Sequence, residues 1–156
     1  MQVTVIDISD PSNFERRDWQ DGIFFFSDEW VDRSHQCKNF LNSHRKIHER
    51  KIHGRKCIVK EVNSIIGKEF LLDNHIQGAN NLGIVYFGLF YQEELLGVMS
   101  LGRHNRQNVE NKIVLDRFCI SYGVHVQGGA SKLFKKCVEW AKFKKYEEII
   151  SFSDNR

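Results

Sequence analysis

The chain has 156 residues, 41% of them hydrophobic and twelve of them phenylalanine, which is enough apolar material for one packed domain with a short N-terminal extension. No apolar run approaches the roughly 20 residues that cross a bilayer, and a single proline without a Ser/Gly-rich tract excludes a disordered linker. The four cysteines are widely spaced without a Cys-x-x-Cys pair. The lack of a long apolar run predicts a soluble, intracellular protein. The cysteine spacing predicts reduced core thiols and no structural zinc site.

The formal net charge of +3 conceals a strong asymmetry along the sequence. Residues 1–32 are mainly acidic, basic residues and histidines crowd residues 45–60, and a second lysine-rich set lies within residues 132–145. Clustered Lys and Arg are the electrostatic signature of a phosphate-backbone partner, and a merely solvated surface is the alternative. The candidate nucleic-acid contacts are Arg45, Lys46, Arg50, Lys51, Arg55, Lys56 and Arg103.

The N-terminal part predicts two short strands followed by a helix. Apolar residues alternate from Val3 to Ile8, and Ile23 to Phe26 form a run typical of a buried strand. Ser27 has the side chain of an N-cap and precedes an acidic first turn, so a helix is expected from there to about Ser43. The residues expected to face inward on this helix are Trp30, Cys37 and Leu41.

The basic stretch after this helix predicts a loop. We place a boundary there, between an N-terminal extension (residues 1–54) and a main domain (residues 55–156). The main domain reads as strand, helix, three strands, helix and strand, which predicts an α/β (α+β) fold with a mixed sheet and flanking helices. The predicted strands are 57–62, 83–91, 95–102, 113–120 and 148–153. The residues expected to face inward on the first helix are Ile65, Ile66, Phe70 and Leu72.

A glycine-rich turn precedes the second helix of the main domain. Such a turn between a strand and a helix presents free backbone N–H groups to one point, where the helix dipole favours an anion. The alternative is a tight turn that only packs helix against strand, and the Ser131 hydroxyl fits either an N-cap or a phosphate contact. The candidate cofactor-binding residues are Gln127, Gly128, Gly129, Ala130, Ser131 and Lys132.

Several uncommon sequence words occur in order along the chain. They are NHIQG (74–78), GLFYQEELLGVMSLGR (88–103), LDRFC (115–119), VQGGASKLF (126–134) and IISFSDNR (149–156). Together they resemble the GNAT-like, Mom-related domain at the C-terminal end of bacteriophage homing endonucleases with a Vsr-like nuclease half. FFFSDEW (24–30) is similar to the end of that nuclease half. The resemblance implies a phage-encoded protein in the host cell cytoplasm, built on an incomplete GNAT-like sheet.

The resemblance also implies particular site residues. His75, in NHIQG, and Asp154, at the end of the last strand, are the candidate catalytic residues, and an acetyl-CoA-like donor is the possible cofactor. His75 has a simpler interpretation as the residue that ends a helix. Arg117 is a candidate phosphate or base contact, or the partner of a neighbouring acid. The acidic residues before Phe24 show no metal-binding spacing, so nuclease activity is not expected.

Three functional classes remain open. The favoured one is a DNA-directed, nucleic-acid-binding protein with little or no catalysis. The alternatives are an acyl-CoA-dependent, Mom-like transferase that modifies a DNA base, and a phage inhibitor that binds a host protein. In the family a further helix and strands follow the fifth strand, so the edge of residues 148–153 is expected to pair with an N-terminal strand or with a second copy in a homodimer.

Overall fold

The computed structural model describes residues 2–10, 22–103 and 111–152, so Asp154 lies outside the described residues. Two strands, β1 (Val3–Ile6) and β2 (Ile23–Phe26), pair in parallel, and two helices follow, α1 (Ser27–Asp32) and α2 (Ser34–His44). A small core holds this part together through Ile23, Phe25, Cys37 and Leu41.

The remaining elements build the main sheet and its helices. They are β3 (Arg50–His53), a 3-10 turn (Gly54–Lys56), β4 (Ile58–Val62), α3 (Ser64–Asn74), β5 (Gly83–Tyr91), β6 (Glu94–Gly102), β7 (Lys112–Ile120), β8 (Val124–Gln127), α4 (Gly129–Phe143) and β9 (Glu148–Ser151). The five-stranded sheet has the order β4-β5-β6-β7-β9, antiparallel except for the parallel pair β7–β9. This mixed sheet with flanking helices confirms the predicted fold class.

The two helices of the main domain pack on opposite faces of this sheet. Alternate residues of β5 show this, because Phe87 and Leu89 join the core with Leu133 of α4, whereas Tyr86 joins Leu71 of α3. The sequence pattern predicts an inward face of Leu133, Phe134, Cys137, Val138 and Ala141 on α4. Leu133, Cys137 and Ala141 are buried, whereas Phe134 is 42% exposed. All four cysteines lie in the described residues and none forms a disulfide. In the described part of the chain, no helix is long and apolar enough to span a membrane.

The prediction of a loop over the basic stretch was wrong for residues 50–53. These residues form β3, which pairs in parallel with β8, another strand that the sequence pattern did not reveal. The sequence pattern did not indicate a strand here because only Ile52 of β3 is apolar. Ile52 is partly buried only by packing in the same core as Val124 and Val126 of β8, which are distant in sequence.

The first predicted helix is divided at Arg33, whose backbone leaves the helical region at φ −126° and ψ 33°. The Arg33 guanidinium donates to the carbonyls of Leu72 and His75, at the end of α3. Ser27 is the first residue of α1 rather than its N-cap. Phe26 occupies the N-cap position, and its backbone N–H donates to the Glu29 carboxylate at 3.1 Å.

The predicted inward face of α3 was also wrong. Ile65, Ile66 and Leu72 are 66%, 44% and 54% exposed. Gly67 and Leu71 are buried instead, and a Cβ on Gly67 would lie 2.5 Å from Cδ1 of Tyr86. The helix therefore approaches the sheet through Gly67 and Leu71. Of the four residues predicted to face inward, Phe70 packs against this core, and the other three are turned outward.

Contacts cross the predicted boundary between residues 54 and 55 at several points. His35 of α2 stacks on Tyr122 with ring centroids 3.9 Å apart, and Asn39 accepts from Gly123 N at 3.2 Å. Backbone pairing of β3 with β8 adds to these contacts. The two-part division stays a prediction, and so does pairing of a second copy at β9, where Ile149 packs against the core and Phe152 is exposed.

Candidate functional site

The two-stranded ribbon of β3 and β8 has one buried and one exposed face. Ile52, Val124 and Val126 pack into the core, whereas the alternate positions point to solvent. Lys51 lies opposite His125 in the register, and His53 lies opposite Gln127. We call this surface the ribbon face, and its four exposed residues are Lys51, His53, His125 and Gln127.

His48 extends the ribbon face at its beginning. Its imidazole stacks on that of His125, with ring centroids 4.8 Å apart and planes inclined by 28°. Partial burial lowers the pKa of His48, and the positive charges of His125 and Lys51 lower it further. Positive charge on His48 is thus disfavoured in this position, and a nearby anion would favour it.

At its other end the ribbon face leads into a cavity of about 250 Å³ beside the start of α4. The residues that line this cavity are His53, Gly54, Arg55, Gln127, Gly128 and Lys132. Three of them belong to the predicted glycine turn. The other three come from the end of β3 and the 3-10 turn after it, which the sequence had not connected with the glycine turn. Pairing of β3 with β8 brings the two segments together.

The two glycines of the turn have different functions. Gly128 is the N-cap of α4 at φ +75°, and a Cβ built there meets no described atom within 4 Å, so its requirement is conformational. A Cβ on Gly129 would lie 2.9 Å from Leu89 and 3.0 Å from Val126, so its requirement is close packing. The backbone N–H groups from Gly129 to Ser131 precede the first hydrogen bond of α4, which Lys132 N donates to the carbonyl of Gly128.

The positions of Lys132 and Ser131 differ from those expected of side chains that serve only to bind an anion. The Lys132 ammonium donates to the carbonyls of Gly54, at 3.0 Å, and Cys57, and so ties the 3-10 turn to α4. The Lys132 side chain lines the cavity, but two of its three N–H donors are already used in these hydrogen bonds. Ser131 is the third residue of α4 and is exposed, so its interpretation as the N-cap was wrong, since Gly128 occupies that position.

His75 ends α3, as its simpler interpretation predicted. Its Nδ1 accepts from Gln77 N at 3.1 Å, and its carbonyl accepts from Gly78 N at 2.8 Å in a turn where Gly78 has φ +66°. Arg33 donates to the same carbonyl. A catalytic role for His75 stays a prediction, as does one for Asp154, which lies outside the described residues.

The basic candidates differ in how their charges are used. Arg50 forms a two-pronged ion pair with Glu94 at 2.8 and 2.9 Å, which raises the pKa of Arg50 and lowers that of Glu94. The other six are exposed: Arg45, Lys46, Lys51, Arg55, Lys56 and Arg103. Within the described ranges, no group of three or more His, Cys, Asp or Glu side chains is placed to hold a metal ion.

A second polar site lies on the α3 side of the sheet, and sequence reasoning missed it. Between β6 and β7, Ser100 pairs with Arg117 and Leu101 pairs with Leu115, which leaves Asp116 as an extra residue in β7. This β-bulge turns Asp116 and Arg117 to the same face, while Leu115 packs into the opposite core. A charged doublet within an apolar strand was the sequence signal that could have indicated it.

The bulge site is a hydrogen-bonded cluster. The Asp116 carboxylate is only 6% exposed, accepts from Asn80 Nδ2 at 2.7 Å, and lies 3.4 Å from the buried Ser100 hydroxyl. Arg117 Nη1 donates to the carbonyl of Asp116 at 2.8 Å, and its buried Nε has no partner among the described residues. Burial raises the pKa of the neighbouring Tyr86, and the charge of Asp116 raises it further.

Comparison with known proteins gives matches among solved structures alone. No family profile and no curated protein matches the chain. An aminoglycoside acetyltransferase from an uncultured soil metagenomic sample, in complex with sisomicin, is 11% identical over 65% of this chain and 80% of its own, with a TM-score of 0.49. A GNAT family acetyltransferase of Staphylococcus aureus is 15% identical over 65% of this chain and 89% of its own, also with a TM-score of 0.49.

A further structure is the aminoglycoside N-acetyltransferase AAC(6')-Iy in complex with CoA. It is 15% identical, covers 64% of this chain and 81% of its own, and has a TM-score of 0.46. At such identities and scores these similarities assign neither a substrate nor a cofactor to this chain. The class that the described residues define by themselves is a mixed α/β sheet protein with a basic ribbon beside a helix N-terminus.

Proposed function

We propose that this protein binds nucleic acid through the ribbon face and the start of α4, as a module related to the Mom-like domain of phage homing endonucleases. The observation that carries the proposal is the continuity of the ribbon face with the cavity at α4. Phosphate groups are bound by Lys, Arg and backbone N–H groups, and all three lie along this surface.

The geometry suits a linear polyanion. Residues two apart on a strand are about 6.6 Å apart on the same face, so Lys51 and His53 offer successive donors along β3, with His125 and Gln127 beside them. Arg55 continues this path to the cavity. Contacts of this kind hold the backbone without reading its sequence, so the expected binding is non-specific and salt-dependent.

Salt titration of a dye-labelled duplex by fluorescence anisotropy tests the proposal. We expect binding at about 50 mM salt that weakens steeply towards about 200 mM. Lys51→Gln with Arg55→Gln should reduce the slope of log affinity against log salt by about two, because each removed contact releases about one counterion fewer.

The matched control carries Lys38→Gln with Lys142→Gln, two exposed lysines on α2 and α4 outside the ribbon face. This control loses the same net charge and should keep the wild-type slope. Absence of binding at about 50 mM salt, where such contacts are strongest, would refute the proposal. An equal loss of slope in both variants would assign binding to net charge rather than to the ribbon.

A second candidate function is an acyl-CoA-dependent transfer to a DNA base, which the open turn at Gly128 favours. The groups that would hold a CoA-type donor are the backbone N–H groups from Gly129 to Ser131, and a Cβ built on the neighbouring Gly128 meets no described atom within 4 Å. Such a donor supplies an activated acyl group.

Thermal unfolding with acetyl-CoA tests this second function. Saturable stabilisation by acetyl-CoA, absent with acetate and reduced by Gly128→Val, supports a donor site. Mass spectrometry of nucleosides from duplex incubated with protein and acetyl-CoA tests transfer itself. Binding of duplex with neither result leaves the nucleic-acid-binding module as the function.

A further inference from the structure

The stacked pair of His48 and His125 lies at the entrance of the ribbon face. Lys51, opposite His125 in the register, brings a third cationic group to the same place. Exposure of His125 and Lys51 leaves an incoming ligand access to both. Among the described residues, none of these three side chains forms an ion pair with an acid. An anion would therefore complete the arrangement of two imidazoles and an ammonium.

We propose that His48, His125 and Lys51 form a proton-coupled phosphate site, in which binding of a nucleic-acid phosphate is accompanied by protonation of the histidine pair. This inference rests on the proposed nucleic-acid binding and adds its regulation by pH. The ligand chemistry is a phosphodiester, and the site is separate from the cavity at the start of α4.

The charged groups around the pair define what an anion would meet. From β3, Lys51 faces the pair, and Arg50 next to it is neutralised by Glu94 of β6. From the segment before β3, the Glu49 carboxyl lies over Gly123, within 3.0 Å of a Cβ built there. From β8, His125 is itself half of the pair. Glu49 is the acid nearest in sequence and lies at the turn before β8.

His53, also on the ribbon face, is not part of the proposed proton-coupled site. Its Nδ1 accepts from Arg55 N at 3.2 Å and so caps the 3-10 turn. The His48 ring lies 4.8 Å from that of His125, and partial burial with the charges of His125 and Lys51 lowers the pKa of His48, so an anion bound there would favour its protonated form.

The sign of the effect follows from linkage. An anion raises the pKa of the histidines it contacts, so the complex holds more protons than the free protein. Affinity therefore rises as pH falls through the pKa of the bound state, and it levels off once the free protein is also protonated. Uptake of one full proton changes affinity by about tenfold per pH unit, and partial uptake by about threefold.

The experiment measures anisotropy of a rhodamine-labelled duplex, whose dye does not titrate in this range, at constant ionic strength from about pH 7.5 to about pH 5.5. The variants are His48→Gln and His125→Gln, singly and together. The control is His44→Gln, an exposed histidine in the last turn of α2. Thermal melts of each variant confirm folding.

We expect wild type and His44→Gln to gain about three- to tenfold in affinity per pH unit as pH falls, and the double variant to lose most of this dependence. Titration calorimetry in two buffers of different ionisation enthalpy should show proton uptake by the wild type and less by the double variant. This second readout is independent of any loss in affinity.

Binding that is flat with pH, or an unchanged pH dependence in the double variant, would overturn the proton-coupled site and leave the proposed function intact. An unchanged proton uptake in the double variant would overturn it as well. Absence of duplex binding throughout the pH range would instead refute the proposed function, and the proton-coupled site with it.

Discussion

Asp116 and Arg117 are neighbours in sequence, and both face the α3 side of the sheet, because the bulge in β7 inserts one residue between Leu115 and Arg117. In a regular strand their side chains would point to opposite faces. The same bulge lets one carboxylate accept from Asn80 and lie within reach of the Ser100 hydroxyl. A single extra residue thus creates a buried polar cluster in an apolar sheet.

This cluster should contribute to stability whether or not it binds a substrate. Asp116→Ala removes the acceptor of Asn80 and the acid beside Arg117, and buried groups left without partners cost about 1–3 kcal/mol. We expect a corresponding fall in the free energy of unfolding, measured with urea. Asp73→Ala, an exposed acid in the last turn of α3, is the control. Equal stabilities of the two variants would contradict the structural role of Asp116.

The two glycines of the turn should respond differently to substitution. Gly129→Ala places a methyl group 2.9 Å from Leu89, so overpacking should lower stability by about 1–3 kcal/mol. Gly128→Ala meets open space and costs about 1–2 kcal/mol through its positive φ alone. Gly128→Asn should recover part of this loss, because asparagine tolerates the left-handed region, whereas Gly129→Asn should not. Urea unfolding of the four variants measures the difference.

Lys132 should matter for stability more than an exposed lysine does. Lys132→Met removes the donor to the carbonyls of Gly54 and Cys57, and hydrogen bonds from charged groups are worth about 1.5–3 kcal/mol. Lys136→Met is the matched control, because its exposed ion pair with Glu139 is worth at most about 0.5 kcal/mol. If Lys132 instead serves an anion alone, both variants will unfold at the same urea concentration.

The buried thiols should make stability fall at alkaline pH. Burial raises the pKa of both Cys119 and Cys137 from 9.0 to about 12. Above about pH 9 the unfolded chain loses these protons and the folded chain keeps them, so the free energy of unfolding falls as pH rises towards 12. The expected fall is up to about 1.4 kcal/mol per pH unit for each thiol. Cys137→Ala should flatten the pH dependence measured by urea unfolding.

The sequence by itself determined those features whose signals are local. The apolar runs of β5 to β7 and the periodic side chains Leu133, Cys137 and Ala141 of α4 predicted the elements and their order. The glycine pair predicted a turn that begins a helix, and Asn63 or Ser64 was the expected N-cap of α3. Of these two, Asn63 is the N-cap, and its side chain accepts from Ile66 N at 2.9 Å. Each of these depends on neighbours within about four residues, as helical and turn contacts do.

The tertiary structure alone decided the features that depend on distant partners. β3 is a strand because β8 lies beside it, α3 turns Gly67 inward because Tyr86 occupies that space, and α1 ends where Arg33 reaches the end of α3. The ribbon face arises in the same way, since Lys51 and His125 are 74 positions apart in sequence but lie opposite each other in the pairing of β3 with β8. Sheet pairing and close packing join residues that share no local pattern, and for that reason no segment read alone could reveal them.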